Sequence, residues 1–386
     1  MLTDAALHVA PGFEPVRDAF MENFDKNDEL GAAFAATLDG QPVVDLWGGI
    51  ADAETGRSWQ QDTIQVIFSG TKGLTATCIL MLVDRGQIEL EAPVATYWPE
   101  FAAAGKDSIT VAEVMSHRAR LPGVRVPLTE ADLLDPRAMA SRLAEQAPEK
   151  DPRAAGAYHA LTYGWLCDEL LWRVEGRSIS SFFADEIAEP LGLEVWIGLP
   201  PELEPRVAPI TRTGDWSENA EADPELWEGD DLYASIWANP PVLGPTILFN
   251  RTEWHEAEIP AANGIATARS LARLYGCLAR GGELDGVRLL QPETLELGQR
   301  ELARFTDPFA QKLMVYGAGF QLQTPKHLLG PPAVAFGHDG AGGGVHGAWP
   351  AERVGFSYSM NGMHPGGAPD PRSVSLLAAL HACLEM

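Results

Sequence analysis

At 386 residues the chain is long enough for two or three structural lobes at roughly 150 residues per domain. Hydrophobic residues make up 46% and charged residues 21%, which supplies a sizeable core and excludes wholesale disorder. The formal charge of −26 argues against nucleic-acid and anionic-membrane partners, because both require a basic surface.

Residues 14 to 30 predict an opening helix, since Phe13, Val16, Phe20 and Phe24 recur at spacings of three or four. Two strands follow over 31–37 and 42–48, joined by the turn dipeptide Asp39-Gly40. Residues 63 to 68 are β-branched and apolar, and the pattern switches to a helical period from Gly70 to Asp84. The middle of the chain predicts helices over 111–116, 133–146, 162–172, 180–187 and 268–279. Between Glu202 and Asp231 there are ten acids against two bases, with Trp216, Trp227 and Trp237 in or beside the stretch. That composition reads as a solvated acidic surface held by tryptophans, or as an aromatic rim beside a pocket. The last 75 residues turn to short strands over 317–323, 333–337, 343–349 and 354–361, separated by glycine-rich turns. Asp370 then caps a helix from Pro371 to Cys383.

Strands at both ends with helices between them predict an α/β (α+β) fold. One mostly antiparallel sheet is built from both termini and flanked by helices, because the closely spaced C-terminal strands leave no room for crossovers. The expected division is a sheet domain from 1–75 and 290–386, and a mainly helical domain from 76–289 containing the acidic loop region 199–265. Four widely separated cysteines without a CxxC pair predict reduced thiols and a cytoplasmic location. The N-terminus makes a poor secretory signal, and no run of eighteen apolar residues predicts a membrane span.

Three elements carry chemistry. In Ser69-Gly70-Thr71-Lys72, the serine and lysine lie three positions apart and share a helix face, with apolar neighbours that disfavour the ammonium form. Six lysines and fifteen serines predict fewer than one such motif by chance, so the motif matters mainly for its place at a strand-to-helix switch. A capping Ser69 with Lys72 reaching solvent is the competing structural reading. Tyr158, just before an apolar helix, can relay a proton to these groups or can serve packing; Tyr163 falls inside the helix and suits the role less well. Finally, Gly337 to Gly344 holds five glycines and the run His338-Asp339-Gly340-Ala341, which suits either a strand edge that approaches a ligand or a tight turn. On the first reading its backbone N–H groups complete an oxyanion hole with that of Ser69, and His338 orients substrate or bonds locally.

Other nucleophile and metal systems fit less well. Gly355-Phe356-Ser357-Tyr358-Ser359 lacks the final glycine of a nucleophile elbow, and His255-Glu256 lacks the second histidine of a zincin. Neither a Walker A nor a dinucleotide fingerprint occurs, so no metal or cofactor is expected.

In this order and at these gaps, the three elements resemble the serine β-lactamase and penicillin-binding-protein superfamily. The esterase branch (family VIII carboxylesterases), alongside class C β-lactamases, is the nearest likeness. The resemblance spans about Gly31 to Cys383 and implies a β-lactamase/transpeptidase-like fold. It implies Ser69 as nucleophile, Lys72 as its base partner and Tyr158 as the tyrosine of a Y-x-N motif. His338, Asp339 and Gly340 then fall on the substrate-binding K-T-G strand, and Ala341 supplies the second oxyanion N–H beside that of Ser69. Two departures matter: Ala160 replaces the Asn of Y-x-N, and His338 replaces the Lys of K-T-G, removing a permanent cation suited to a substrate carboxylate. An uncharged ester needs neither group, so cleavage of small carboxylic esters through an acyl-enzyme is the expected function. A weak β-lactamase, an amidase, an acyltransferase, or a catalytically silent binding or sensor protein on the same scaffold are the alternatives. The oligomeric state is not legible.

Overall fold

Alternation along the strand Gly31–Leu38 sets the layering of the molecule. In the computed structural model, which describes residues 8–214, 228–243, 246–365 and 369–385, Ala32, Phe34 and Ala36 face one side. There they pack with Val16 and Phe20 of the helix Glu14–Lys26 and with Leu376, Leu377 and Leu380 of the helix Pro371–Leu384. Ala33 and Ala35 face the other side and meet Ala268 and Ala272 of the helix Ala268–Ala279. Small side chains there let the helix lie close: a Cβ on Gly355 would sit 2.0 Å from the Gly276 nitrogen. The period of two in the strand thus buries both faces under helices.

Among the described residues the main sheet has ten strands, with every pairing antiparallel. Its order runs His8–Val9, Gln41–Asp52, Gly31–Leu38, Val354–Met360, Val345–Trp349, Phe336–Asp339, Gln321–Leu322, Leu313–Tyr316 and Ala303–Thr306, with Arg57–Ser58 paired to Gln41–Asp52. The expected sheet from both termini is therefore present, joined where Gly31–Leu38 pairs with Val354–Met360. Asp39 and Gly40 make the first hairpin with φ of 54° and 78°, the left-handed pair that matches strand twist in a two-residue turn. Asp370 caps the last helix by accepting from the Arg372 N–H.

Several boundaries differ from the sequence expectation. The opening helix stops at Lys26, and the strand expected over 63–68 shrinks to Gln65–Val66. That short strand joins Gly264–Ala266 and Val195–Ile197 in a separate small sheet. Residues 317–320, expected in a strand, form the turn between Leu313–Tyr316 and Gln321–Leu322, where Gly319 takes a φ of 87°. Ala268–Ala279, from the expected 76–289 region, lies on the main sheet, and one apolar core runs from Ile79 and Trp165 to Phe336 and Ala348. Within the acidic region, Trp216 and Trp227 fall outside the described residues, whereas Trp237 ends the helix Asp231–Trp237. No described helix is long and apolar enough to cross a membrane.

Candidate active site

Ser69 sits in a single 3-10 turn, Phe68–Gly70, that runs directly into the helix Thr71–Asp84. Phe68 just before it holds a φ of 47°, a left-handed conformation that costs a bulky residue of order 1–3 kcal/mol. Three hydrogen bonds hold the turn: Ile67 N–H to the Gly264 carbonyl (2.8 Å), Gly70 N–H to the Ile67 carbonyl (3.0 Å), and Thr71 Oγ1 to the Phe68 carbonyl (2.6 Å). Ser69 is left half-buried at the mouth of a cleft.

Lys72 lies one helical turn on and is fully buried. Its Nζ donates to the carbonyls of Ala160 (2.8 Å) and Ala261 (2.9 Å) and lies 3.3 Å from Ser69 Oγ. Burial holds the amine well below the usual lysine range, with the Asp339 carboxylate opposing that shift. The solvent-reaching lysine weighed from the sequence is thereby excluded. A neutral amine at this position can take the serine proton.

Tyr158 packs over the same amine, with Lys72 Nζ 4.7 Å from its ring centroid. The tyrosine is fixed from its backbone: its N–H donates to Asp307 Oδ2 at 2.9 Å, and the Asp307 Oδ1 accepts from Phe309 and Ala310. Behind it stands a wall of buried rings. The His117 centroid lies 4.7 Å from that of Tyr158, 5.2 Å from Tyr163 and 4.4 Å from Tyr316. Burial depresses His117 well below the usual imidazole range, and the His159 N–H donates to its Nδ1 at 3.2 Å. The wall is therefore uncharged, which keeps a second cation away from Lys72.

The opposite lip is the end of the strand Phe336–Asp339 and the glycine turn after it. A Cβ on Gly340 would lie 2.5 Å from the Ile67 carbonyl oxygen, so only glycine lets this backbone approach the serine turn so closely. The Arg372 guanidinium anchors the turn from behind, donating to the Gly342 carbonyl at 2.9 Å while pairing with Asp370 at 2.8 Å and Glu29 at 3.1 Å. Among the described residues no hydrogen bond uses the N–H of Ser69 or Ala341, so both remain available to an incoming oxygen.

His338 does not take the expected position. It is 1% exposed, and Asp339, Gly340 and Ala341 line the cleft where His338 does not. Its Nδ1 bonds the Asp339 carbonyl at 2.7 Å, and burial lowers its pKa to about 4, so it does not stand in for a permanent cation. The alternation of the strand explains this: residue 338 points into the sheet's packing while 339 points to the cleft. A cation does stand nearby, from a residue outside the sequence motifs. Lys312 Nζ reaches Asp339 Oδ2 at 2.5 Å, and both line the cleft. Neither Lys312 nor Asp307 had a local signal in the sequence, because each joins the site only through strand pairing at the sheet edge.

The cleft is a cavity of about 220 Å³. Its walls are largely apolar, among them Leu128, Trp165, Ile236, Trp237, Leu243 and Phe249. No group of three metal-ligating side chains occurs among the described residues.

A large antiparallel sheet backed by helices, with a Ser-x-x-Lys turn opening on such a cleft, defines a β-lactamase-type scaffold. The chain belongs to the Beta-lactamase family, whose model matches residues 16–380. It is 40% identical over 353 residues to the esterase/beta-lactamase LipL of Mycobacterium tuberculosis, covering 91% of this chain and 81% of that one. The crystal structure of a family VIII carboxylesterase superposes with a TM-score of 0.90 at 37% identity, covering 99% of this chain and 100% of the other. A penicillin-binding-protein homologue from Caulobacter crescentus superposes with a TM-score of 0.89 at 39% identity, again over 99% and 100% of the two chains.

Proposed function

We propose that the protein is a serine hydrolase that cleaves small carboxylic esters through an acyl-enzyme on Ser69. The observation that carries the reading is the buried Lys72 amine, held 3.3 Å from Ser69 Oγ in surroundings that disfavour its charge. The printed names of its relatives, an esterase/beta-lactamase and a carboxylesterase, support the same reaction class. As Ser69 Oγ attacks the ester carbonyl, its proton passes to the Lys72–Tyr158 pair. The Ser69 and Ala341 N–H groups receive the oxyanion. Collapse breaks the ester C–O bond, Tyr158 returns a proton to the departing alkoxide, and the acyl group stays on Oγ. Water then attacks the acyl-enzyme, gives its proton to the same pair, and releases the carboxylic acid while Oγ recovers its hydrogen.

β-Lactam cleavage is the second reading, suggested by the relative's double name. Ala160 has no side-chain amide to offer a lactam, its backbone carbonyl accepts from Lys72 and its N–H donates to the Tyr158 carbonyl. Four free thiols, three of them buried, support a reducing compartment such as the cytoplasm. The deciding experiment treats the wild type and Ser69→Ala with p-nitrophenyl acetate and with a serine-directed phosphonate. Turnover and a mass adduct on Ser69 are expected in the wild type alone. Full esterase activity in the folded variant eliminates the proposal, and faster turnover of nitrocefin than of esters replaces it with the second reading.

A further inference from the structure

The cleft is lined by one lysine among the described residues, Lys312, and it is already paired. Among the described residues lining it, the ionisable acids and bases apart from Tyr158 and Tyr316 are Asp307, Lys312, Asp339 and Asp370. Asp307 is committed to the backbone N–H groups of Tyr158, Phe309 and Ala310, and Asp370 to Arg372. Lys312 and Asp339 remain, and they are committed to each other at 2.5 Å, with 24% and 25% of their side chains exposed. Asp339 is held from its own backbone, its N–H donating to Gln321 Oε1 at 3.0 Å. Burial works against its ionisation, but the Lys312 ammonium and nearby groups outweigh it and hold the carboxyl below its usual range. Residue 339 is two positions before Ala341, so the pair flanks the place where the reacting carbonyl would sit.

We propose that Asp339 is the charge-selecting residue of this cleft: by holding the Lys312 ammonium it denies that cation to substrate and confines turnover to uncharged esters. The inference rests on the reading of Ser69 as an acyl-transfer nucleophile. A carboxylate on the acyl or alcohol part of a substrate would meet Asp307 and a lysine already neutralised by Asp339, on a protein of net charge −26. Exchanging Asp339 for a neutral isostere leaves the lysine in place without its counter-charge. The class of molecule it would then take is a monoanionic ester or another carboxylate-bearing acyl donor, with the carboxylate pairing with the Lys312 ammonium where it lines the cleft.

The test compares the wild type, Asp339→Asn, Lys312→Met and the double variant on p-nitrophenyl butyrate and on the mono-p-nitrophenyl ester of succinic acid. The readout is the ratio of kcat/KM for the anionic ester to that for the neutral one. Asp339 also acts on Lys72, so the substitution changes turnover of both esters together; the ratio removes that shared effect. The ratio is expected to rise about tenfold or more in Asp339→Asn, to fall in Lys312→Met, and to return near the wild-type value in the double variant. A parallel binding series with phenylboronic acid and 3-carboxyphenylboronic acid reads the same selectivity without turnover. If no ester is hydrolysed by the wild type, the acyl-transfer reading fails while the boronate ratio still decides the role of Asp339. An unchanged ratio in both single variants, by rate and by binding, overturns the inference.

Discussion

Gly340→Ala isolates the close approach on which the oxyanion site depends. Gly340 lies outside the left-handed region, so alanine fits its backbone dihedrals, and the whole effect is steric. The added Cβ would meet the Ile67 carbonyl oxygen at 2.5 Å, whereas an ordinary carbon–oxygen contact begins near about 3.3 Å. The two segments must therefore part by close to 1 Å. Neither can yield cheaply: Ile67 is tied to Gly264, and Gly340 donates to the Gly344 carbonyl at 2.8 Å inside a turn anchored by Arg372. Overpacking of this kind costs about 1–3 kcal/mol of stability. The same displacement carries the Ala341 N–H away from that of Ser69, and loss of one oxyanion donor lowers kcat by about 10²–10³. The expected outcome is a folded, modestly destabilised protein whose kcat for p-nitrophenyl acetate collapses while KM changes little, checked by steady-state kinetics beside a thermal melt. A kcat within about threefold of wild type in a well-folded variant would refute the role given to the 340–341 segment.

Lys72→Arg keeps a cation that stays protonated at all working pH values, so activity should fall by about 10²–10⁴. In the wild type, kcat/KM should fall as pH drops through the depressed lysine range, because protonation removes the acceptor; a rise on acidification would contradict a neutral Lys72. Over the window between that range and the ordinary value of 10.5, the unfolded chain binds a proton the folded chain refuses. Stability should therefore fall as pH falls through this window, and urea titrations of Lys72→Met at several pH values should lose that slope. Arg372→Met strands the buried Glu29 and Asp370 carboxylates and should cost about 3–5 kcal/mol in denaturant unfolding, with kcat falling as the Gly342 turn loosens. Across p-nitrophenyl esters, kcat/KM should decline from butyryl to dodecanoyl in a cavity of about 220 Å³; a flat series would show that long chains leave the cleft freely.

Local chemistry made much of this legible. The helix Ala268–Ala279 is bounded where its apolar period and the following glycines put it, and the cap at Asp370 and the turn at Asp39-Gly40 follow from side-chain and backbone preferences within four residues. Ser69 and Lys72 could be paired because one helical turn brings i and i+3 together regardless of what surrounds the helix. Strand ends are less legible. Residues 63–68 carry β-type side chains, yet Phe68 is forced into a left-handed turn by the packing of Gly264 and Thr71, contacts from more than 190 positions away and from the next helix.

Periodicity and short-range geometry account for the strand and helix alphabet, the sheet from both termini and the Ser69–Lys72 spacing. Tertiary structure alone decided charge. It buried Lys72 between the Ala160 and Ala261 carbonyls, turned His338 into the packing, and carried Lys312 across the sheet edge to Asp339. Protonation and pairing depend on the local dielectric and on partners distant along the chain, and those exist only after the chain has folded.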